Sequence, residues 1–227
     1  MKTMILTFCL SLSVQVRATY AQYNQRVPGT REDPAPMMAY IASTEPPLGQ
    51  SVAEWHRRKN HYLGQLTTSS ADIQGTVEQL LQIVEGSETD AITRDYILQH
   101  LQLHAMQRLS SVMRDRVNQV LWRMTDGPGK TTAGTALLAL KREATERPDI
   151  SRESVAFKAR EVSLKPSAPG ASAGTALEVL HVLDPDAGIQ TARSIQQRGT
   201  SDQTSIVSAN RILSTIDPEF QNCKECP

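Results

Sequence analysis

The sequence predicts an all-α fold in which pairs of helices repeat along the chain as an α-solenoid. One apolar helical face recurs forty positions on, with Val77, Leu80, Leu81 and Val84 followed by Val117, Val120, Leu121 and Met124. The sequence AGTAL at 133–137 recurs at 173–177 with the same spacing. A fixed period of about 20 to 50 residues is typical of units that cannot bury an apolar face alone and therefore share a core.

Four helix pairs are expected between residues 71 and 216. The predicted helices cover 71–84, 91–109, 111–124, a segment around 133–140 that stops before Pro148, 151–164, 172–183, a segment from Asp184 toward Gln197, and a segment around 209–216. Several of these carry apolar residues at positions i, i+3, i+4 and i+7, which form one face of a helix. Breaks begin at Glu85, Thr125 and Lys165, again forty residues apart. Turns and apolar faces therefore specify the same unit.

Two glycines lie inside predicted helices of this repeat. Gly134 and Gly174 are forty residues apart, and glycine inside a helix is less favourable than alanine by about 1 kcal/mol. Their recurrence predicts that a neighbouring helix passes too close for a larger side chain.

Three segments precede the repeats. Residues 1–21 are expected to be a secretory signal peptide, because Lys2 is followed by a short apolar run and Ala21 offers a small residue for cleavage. Residues 22–50 contain five of the twelve prolines and are expected to be an extended leader or linker. Residues 51–70 are predicted to form an N-terminal capping helix with a polar outer face.

Charge argues against a nucleic-acid partner. The chain has 24 Lys and Arg residues and 24 Asp and Glu residues, whereas nucleic-acid binding calls for a basic excess or stripe. The dense basic spot at 56–59 is expected to be a solvated helix face. The predicted signal segment is too short for a permanent membrane helix, so no stable membrane insertion is expected after its removal.

The cysteines indicate little chemistry. Cys9 lies in the predicted signal peptide, and Cys223 and Cys226 lie in a tail, 217–227, that is expected to be flexible. In an oxidising compartment these two would pair with each other or with another chain. A local disulfide is favoured, since a lone C-x-x-C is half of a zinc site and a redox pair normally follows a strand.

Two further motifs suggest ligands. Residues 127–131 (GPGKT) are similar to the end of a phosphate-binding loop, but position 124 is Met instead of the first glycine, and the preceding segment is predicted to be helical. His100 and His104 have the i, i+4 spacing of a metal-binding pair and are weak candidates for metal ligands. The forty-residue period places His100 at the core position of Leu140 and Leu180, which favours a partly buried structural histidine.

The region 71–216 resembles the HEAT-like and armadillo-like α-solenoid repeats. The resemblance lies in the forty-residue period, the paired amphipathic helices and the segment 184–189 (DPDAGI), which is similar to the Asp-Pro turn between HEAT helices. The last spacing is shorter, and Gln190 stands where the family often has arginine. The resemblance implies binding or scaffolding in most members and supplies no catalytic residue.

The favoured interpretation is an exported, periplasmic or extracellular protein-protein interaction or scaffold module without catalysis or cofactor. Its protein partner is unidentified. One alternative is a metal-dependent or lyase-type enzyme using a groove near His100 and His104. A second alternative is a passive structural domain whose surface binds no ligand.

Overall fold

The protein is all-helical throughout the part that the structure describes. This computed structural model describes residues 34–127, 131–166, 168–198 and 203–216. Within those ranges it contains α1 (Pro34–Ala42), α2 (Val52–Ser69), α3 (Ile73–Glu85), α4 (Ala91–His100), α5 (Ser111–Met124), α6 (Thr132–Glu146), α7 (Arg152–Leu164), α8 (Gly170–Leu183), α9 (Pro185–Arg198) and α10 (Gln203–Ser214). The predicted all-α fold class is confirmed. The expected signal peptide and the cysteine tail lie outside the described residues.

Side-chain caps explain where many of these helices begin. The oxygen of a Ser or Asp residue accepts a hydrogen bond from the backbone N–H three residues on at Ser51, Asp72, Asp90, Ser110 and Ser151. Each cap supplies an acceptor to one of the first-turn N–H groups that have no partner inside the helix. Local sequence alone therefore sets the start of five helices.

Most helices pack side by side with the next helix but one along the chain. One set runs from α2 to α4, α6, α8 and α10, and pairs of the other set, such as α3 with α5 and α7 with α9, also pack together. Between α2 and the segment that starts with α4, side-chain contacts join His56 to Asp90, Lys59 to Thr93, Asn60 to His100 and Thr67 to Arg108. The order of contacts is the same along both segments, so they run parallel.

The sequence period appears directly in these contacts. His100 and Asn60 are 40 residues apart. Arg142 of α6 donates to the carbonyl of Gln102, also 40 residues away. The backbone N–H of Gly134 donates to Ser172, 38 residues on. Positions about forty residues apart in the sequence therefore lie next to each other at these contacts.

The repeated apolar faces form the core. Val77, Leu80, Leu81 and Val84 are buried, as are Val117, Val120 and Leu121 forty residues later. They belong to one apolar cluster that extends from Met37 to Leu180, and Leu177 joins α9 and α10 in a second cluster. Burying one such aliphatic side chain contributes about 1.5–3 kcal/mol relative to leaving it exposed.

Close helix approach explains the two repeated glycines. A Cβ atom added at Gly134 would lie 3.0 Å from the Thr175 Cβ. One added at Gly174 would lie 2.9 Å from the Ser208 Oγ and 3.2 Å from the Thr204 carbonyl oxygen. The expected packing reason is confirmed at both positions, where α6 meets α8 and α8 meets α10.

We expect Gly174→Leu to lower the free energy of unfolding by about 2 to 3 kcal/mol, because the larger side chain must displace α10. Gly64→Ala is the matched control. Its added Cβ would meet only the His100 Cε1, at an ordinary 3.5 Å, so it should raise stability by about 0.5–1 kcal/mol through helix propensity. Urea denaturation of both variants measures the difference, and equal midpoints for the two would contradict the packing explanation.

The extended leader predicted for 22–50 is wrong over α1. Pro34 is the first residue of this helix and Pro36 lies in its first turn, where an N–H group has no partner inside the helix and proline is tolerated. Met37 and Ile41 are buried against the core. The predicted capping segment 51–70 forms α2, but α1 precedes it and packs against it.

Candidate functional site

The two candidate metal-ligating histidines lie where the α4 helix changes geometry. The segment 91–109 was expected to be one α-helix, but α4 ends at His100 and is followed by a π-helical turn, Leu101–Ala105, and a 3-10 turn, Met106–Arg108. The N–H of Met106 donates to the Leu101 carbonyl, which is the wider π pattern. Arg142 donates to the Gln102 carbonyl at 3.2 Å, which gives that carbonyl a partner outside its own helix.

His100 is a buried side chain, as its place in the repeat predicted. It is 7% exposed, and its Nε2 lies 2.7 Å from the Oδ1 of Asn60 on α2. Because that oxygen only accepts hydrogen bonds, Nε2 carries the proton in the neutral ring, and the buried Nδ1 has no partner within the described residues. The His104 ring lies 5.4 Å from the His100 ring, between centroids.

This environment favours neutral imidazoles. Burial, together with the neighbouring His104, lowers the pKa of His100 from 6.5 to about 4, and burial also lowers the pKa of His104. The unfolded chain therefore takes up a proton near pH 6.5, whereas folded His100 takes one up only near pH 4. Acid favours the unfolded state across this window.

We expect stability to fall as the pH drops from 6.5 to 4, because the unfolded chain binds more protons there. Urea denaturation at pH 7, 6, 5 and 4 gives the profile. His100→Gln cannot titrate and should make the profile less steep between pH 6.5 and 4, where His104 still contributes. An identical slope in this variant would show that His100 does not carry the effect.

The histidine pair supplies two of the ligands that a metal site needs. In the ranges that the structure describes, no group of three or more His, Cys, Asp or Glu residues is placed to hold a metal ion. A zinc site usually needs three or four protein ligands. The two histidines are brought together, but they form only part of such a site.

A buried lysine corrects the prediction of a solvated basic face at 56–59. Arg57 and Arg58 are exposed, but Lys59 is only 1% exposed. Its Nζ donates to the Ser43 carbonyl at 2.7 Å and to the Thr93 hydroxyl at 3.0 Å. Parallel packing of α2 and α4 places hydrogen-bond acceptors over Lys59, which the local charge pattern could not indicate.

Further contacts hold the Lys59 ammonium in place. It lies 3.6 Å from the Asp90 Oδ2 and 3.8 Å from the centre of the Trp55 ring. Burial lowers the pKa of Lys59, while Asp90 acts in the opposite direction. The lysine thus links the end of α1 to α2 and α4.

The segment similar to a phosphate-binding loop is only partly described. Residues 128–130 lie outside the described residues. The segment that precedes them is α5, a helix, as predicted. A phosphate-binding loop follows a strand, so the context required for a nucleotide site is missing among the residues that can be described.

An aromatic groove that the sequence analysis does not predict lies between α5 and α7. It has a volume of about 430 Å³ and is lined by Trp122, Glu153, Ser154, Phe157 and Lys158. Phe157 is 67% exposed although α7 buries Val155, Ala159 and Val162 on its other side. The spacing of these three apolar residues places Phe157 on the opposite, outer face of the helix. An aromatic residue on the outer face is the sequence feature that could indicate the groove.

Comparison with protein-family models, curated proteins and solved structures gives no match for this chain. Among the described residues, the helices are all too short or too polar to cross a membrane.

Proposed function

We propose that the protein is an exported, HEAT-like α-solenoid that acts as a protein-protein interaction or scaffold module. The contacts between parallel helices about forty residues apart carry this proposal, with His100 on Asn60 and Arg142 on Gln102 as the clearest cases. Stacked repeats of this kind present long rows of helix surface, which suits them to binding other proteins.

The buried polar groups support a role without catalysis. His100 and Lys59 have shifted pKa values, a feature that also occurs at active sites. Here both side chains face packed helices and bond to groups of the protein itself. Their interactions stabilise the junction of α2 with α4.

The alternative, an enzyme that uses a groove near His100 and His104, has less support because His100 is buried and a third ligand is missing among the described residues. Calorimetric titration with zinc separates the two proposals. We expect no binding heat at micromolar zinc. Micromolar binding that is lost in His104→Ala would favour the enzyme.

The binding role is tested by affinity capture of the tagged full chain from the envelope fraction and the medium of its source cells. We expect a protein partner to be retained in near-stoichiometric amount and cross-linked to the helical domain. An unrelated exported protein with the same tag is the control. Recovery of only those proteins that the control also retains would contradict the binding role.

Export has its own test in the same cells. We expect the mature chain outside the cytoplasm, with an N-terminus near residue 22 as determined by peptide sequencing. A chain that remains in the cytoplasm with residues 1–21 attached would contradict the proposed export.

A further inference from the structure

We propose that the groove between α5 and α7 binds the cationic side chain of a protein partner, and that arginine is the cation it fits. This inference rests on the proposed binding function and adds the chemistry of the contact. It follows from the aromatic rings of the groove and from the distribution of charge around them.

The aromatic rings provide the surface for the cation. Trp122 is partly buried against the main core and is therefore held in place. Phe157 is largely exposed on α7. A guanidinium or ammonium group is attracted to the face of an aromatic ring, most strongly to tryptophan, and arginine makes this contact more often than lysine.

The charge of the groove favours a cation. Glu153 lines it and makes no ion pair within the described part of the chain. Lys158 lies 2.9 Å from the Asp126 Oδ2 and 3.3 Å from the Glu161 Oε2. Its ammonium is therefore already neutralised, whereas the Glu153 carboxylate is available to a ligand.

An anionic ligand fits this arrangement poorly. It would have to compete with two carboxylates for Lys158, and it would lie near a third, Glu153. Arg160, one helical turn after Phe157, is a second basic residue on α7, but it does not line the groove and therefore gives an anion no contact there. An arginine side chain can instead stack on a ring and present N–H donors to Glu153, which forms a charge-assisted hydrogen bond.

The two tryptophans make binding measurable in the full chain. We would titrate N-acetyl-arginine amide and follow the two indole N–H signals by NMR. A single exposed side-chain contact should give a Kd on the order of 1–10 mM. The Trp122 signal should move, while that of Trp55, which is 3% exposed and donates to Ser43, serves as the internal reference.

The neutral analogue N-acetyl-citrulline amide tests the charge. It keeps the shape of arginine but has no positive charge, so its binding should be at least about fivefold weaker if the charge-assisted bond forms. Equal shifts with both compounds, or no Trp122 shift up to about 50 mM arginine amide, would overturn the proposal.

Surface variants locate the contact. Glu153→Gln and Phe157→Ala should each weaken arginine binding by about fivefold or more. Glu45→Gln and Val112→Ala change an exposed carboxylate and an exposed apolar residue outside the groove, and they should bind normally. Unchanged binding in both groove variants would overturn the assignment of the site.

The same variants separate this inference from the proposed function. A captured partner should be lost from Glu153→Gln and Phe157→Ala but retained by the two controls. If the partner is retained by all four variants, the groove proposal fails while the binding function stands. If no partner is captured but arginine amide still shifts Trp122, the binding function fails and the cation site remains.

Discussion

Gly188→Ala is expected to destabilise the protein by about 3 kcal/mol, the largest effect of an alanine substitution among the glycines that the structure describes. Gly188 lies on α9 against α8. A Cβ atom there would lie 2.6 Å from the Cα and 2.8 Å from the Cβ of His181. Because the backbone at His181 cannot rotate away as a side chain could, the two helices must separate.

Urea denaturation of Gly188→Ala gives the effect directly. Ala187→Gly is the matched control at the preceding position, where loss of helix propensity should cost only about 1 kcal/mol. A Gly188→Ala protein as stable as the parent, or more stable, would show that α8 and α9 do not approach this closely.

Arg114→Met is expected to cost about 3 to 5 kcal/mol, because it would leave a buried carboxylate without its partner. Arg114 on α5 donates to both carboxylate oxygens of Glu143 on α6, at 2.9 and 2.8 Å. Glu143 is only 2% exposed. The cost therefore arises from the stranded charge of Glu143 more than from the loss of the bond itself.

A double variant tests this explanation. Arg114→Met combined with Glu143→Met removes both charges and should cost clearly less than Arg114→Met alone. Arg211→Met, which affects the exposed pair with Glu178, should cost less than about 1 kcal/mol. A double variant that is less stable than the single one would contradict the explanation.

Local signals were sufficient to predict most of the helices. The predicted segment 111–124 matches α5 residue for residue, and Ser151, the first residue of the helix predicted for 151–164, is the cap of α7. Such boundaries depend on caps and on apolar spacing, both of which lie within a few residues of the chain. The repeated glycines also predicted a tertiary contact. Glycine destabilises a helix, so its recurrence inside helices at a fixed period indicates that a neighbouring helix packs closely there.

Other features depend on residues far away in the sequence. The prolines at 34 and 36 suggested extended chain, yet the core has room for Met37 and Ile41, and burial of these two favours a helix. Lys59 is buried because residues distant in the sequence supply its acceptors, namely the Ser43 carbonyl 16 positions earlier and the Thr93 hydroxyl 34 positions later. Tertiary contacts of this kind override local propensity.

The candidate site likewise combines one feature that the sequence predicts with others that depend on tertiary structure. The period alone placed His100 in the core, and the structure agrees. The groove at Phe157 requires α5 and α7 to be positioned relative to each other, and no spacing in the sequence specifies that distance. Whether Glu153 or Lys158 is the groove charge without an ion pair among the described residues can likewise be decided only when the partners of Lys158 are known.

We propose that successive units stack in parallel with an offset of about forty residues. Nuclear Overhauser contacts in the isotope-labelled protein test it most directly. We predict contacts from Asn60 to His100, from Gln102 to Arg142 and from Gly134 to Thr175 in one sample. Contacts in the reverse order along these helices, or the absence of all three in a folded sample, would contradict the stacked-repeat account.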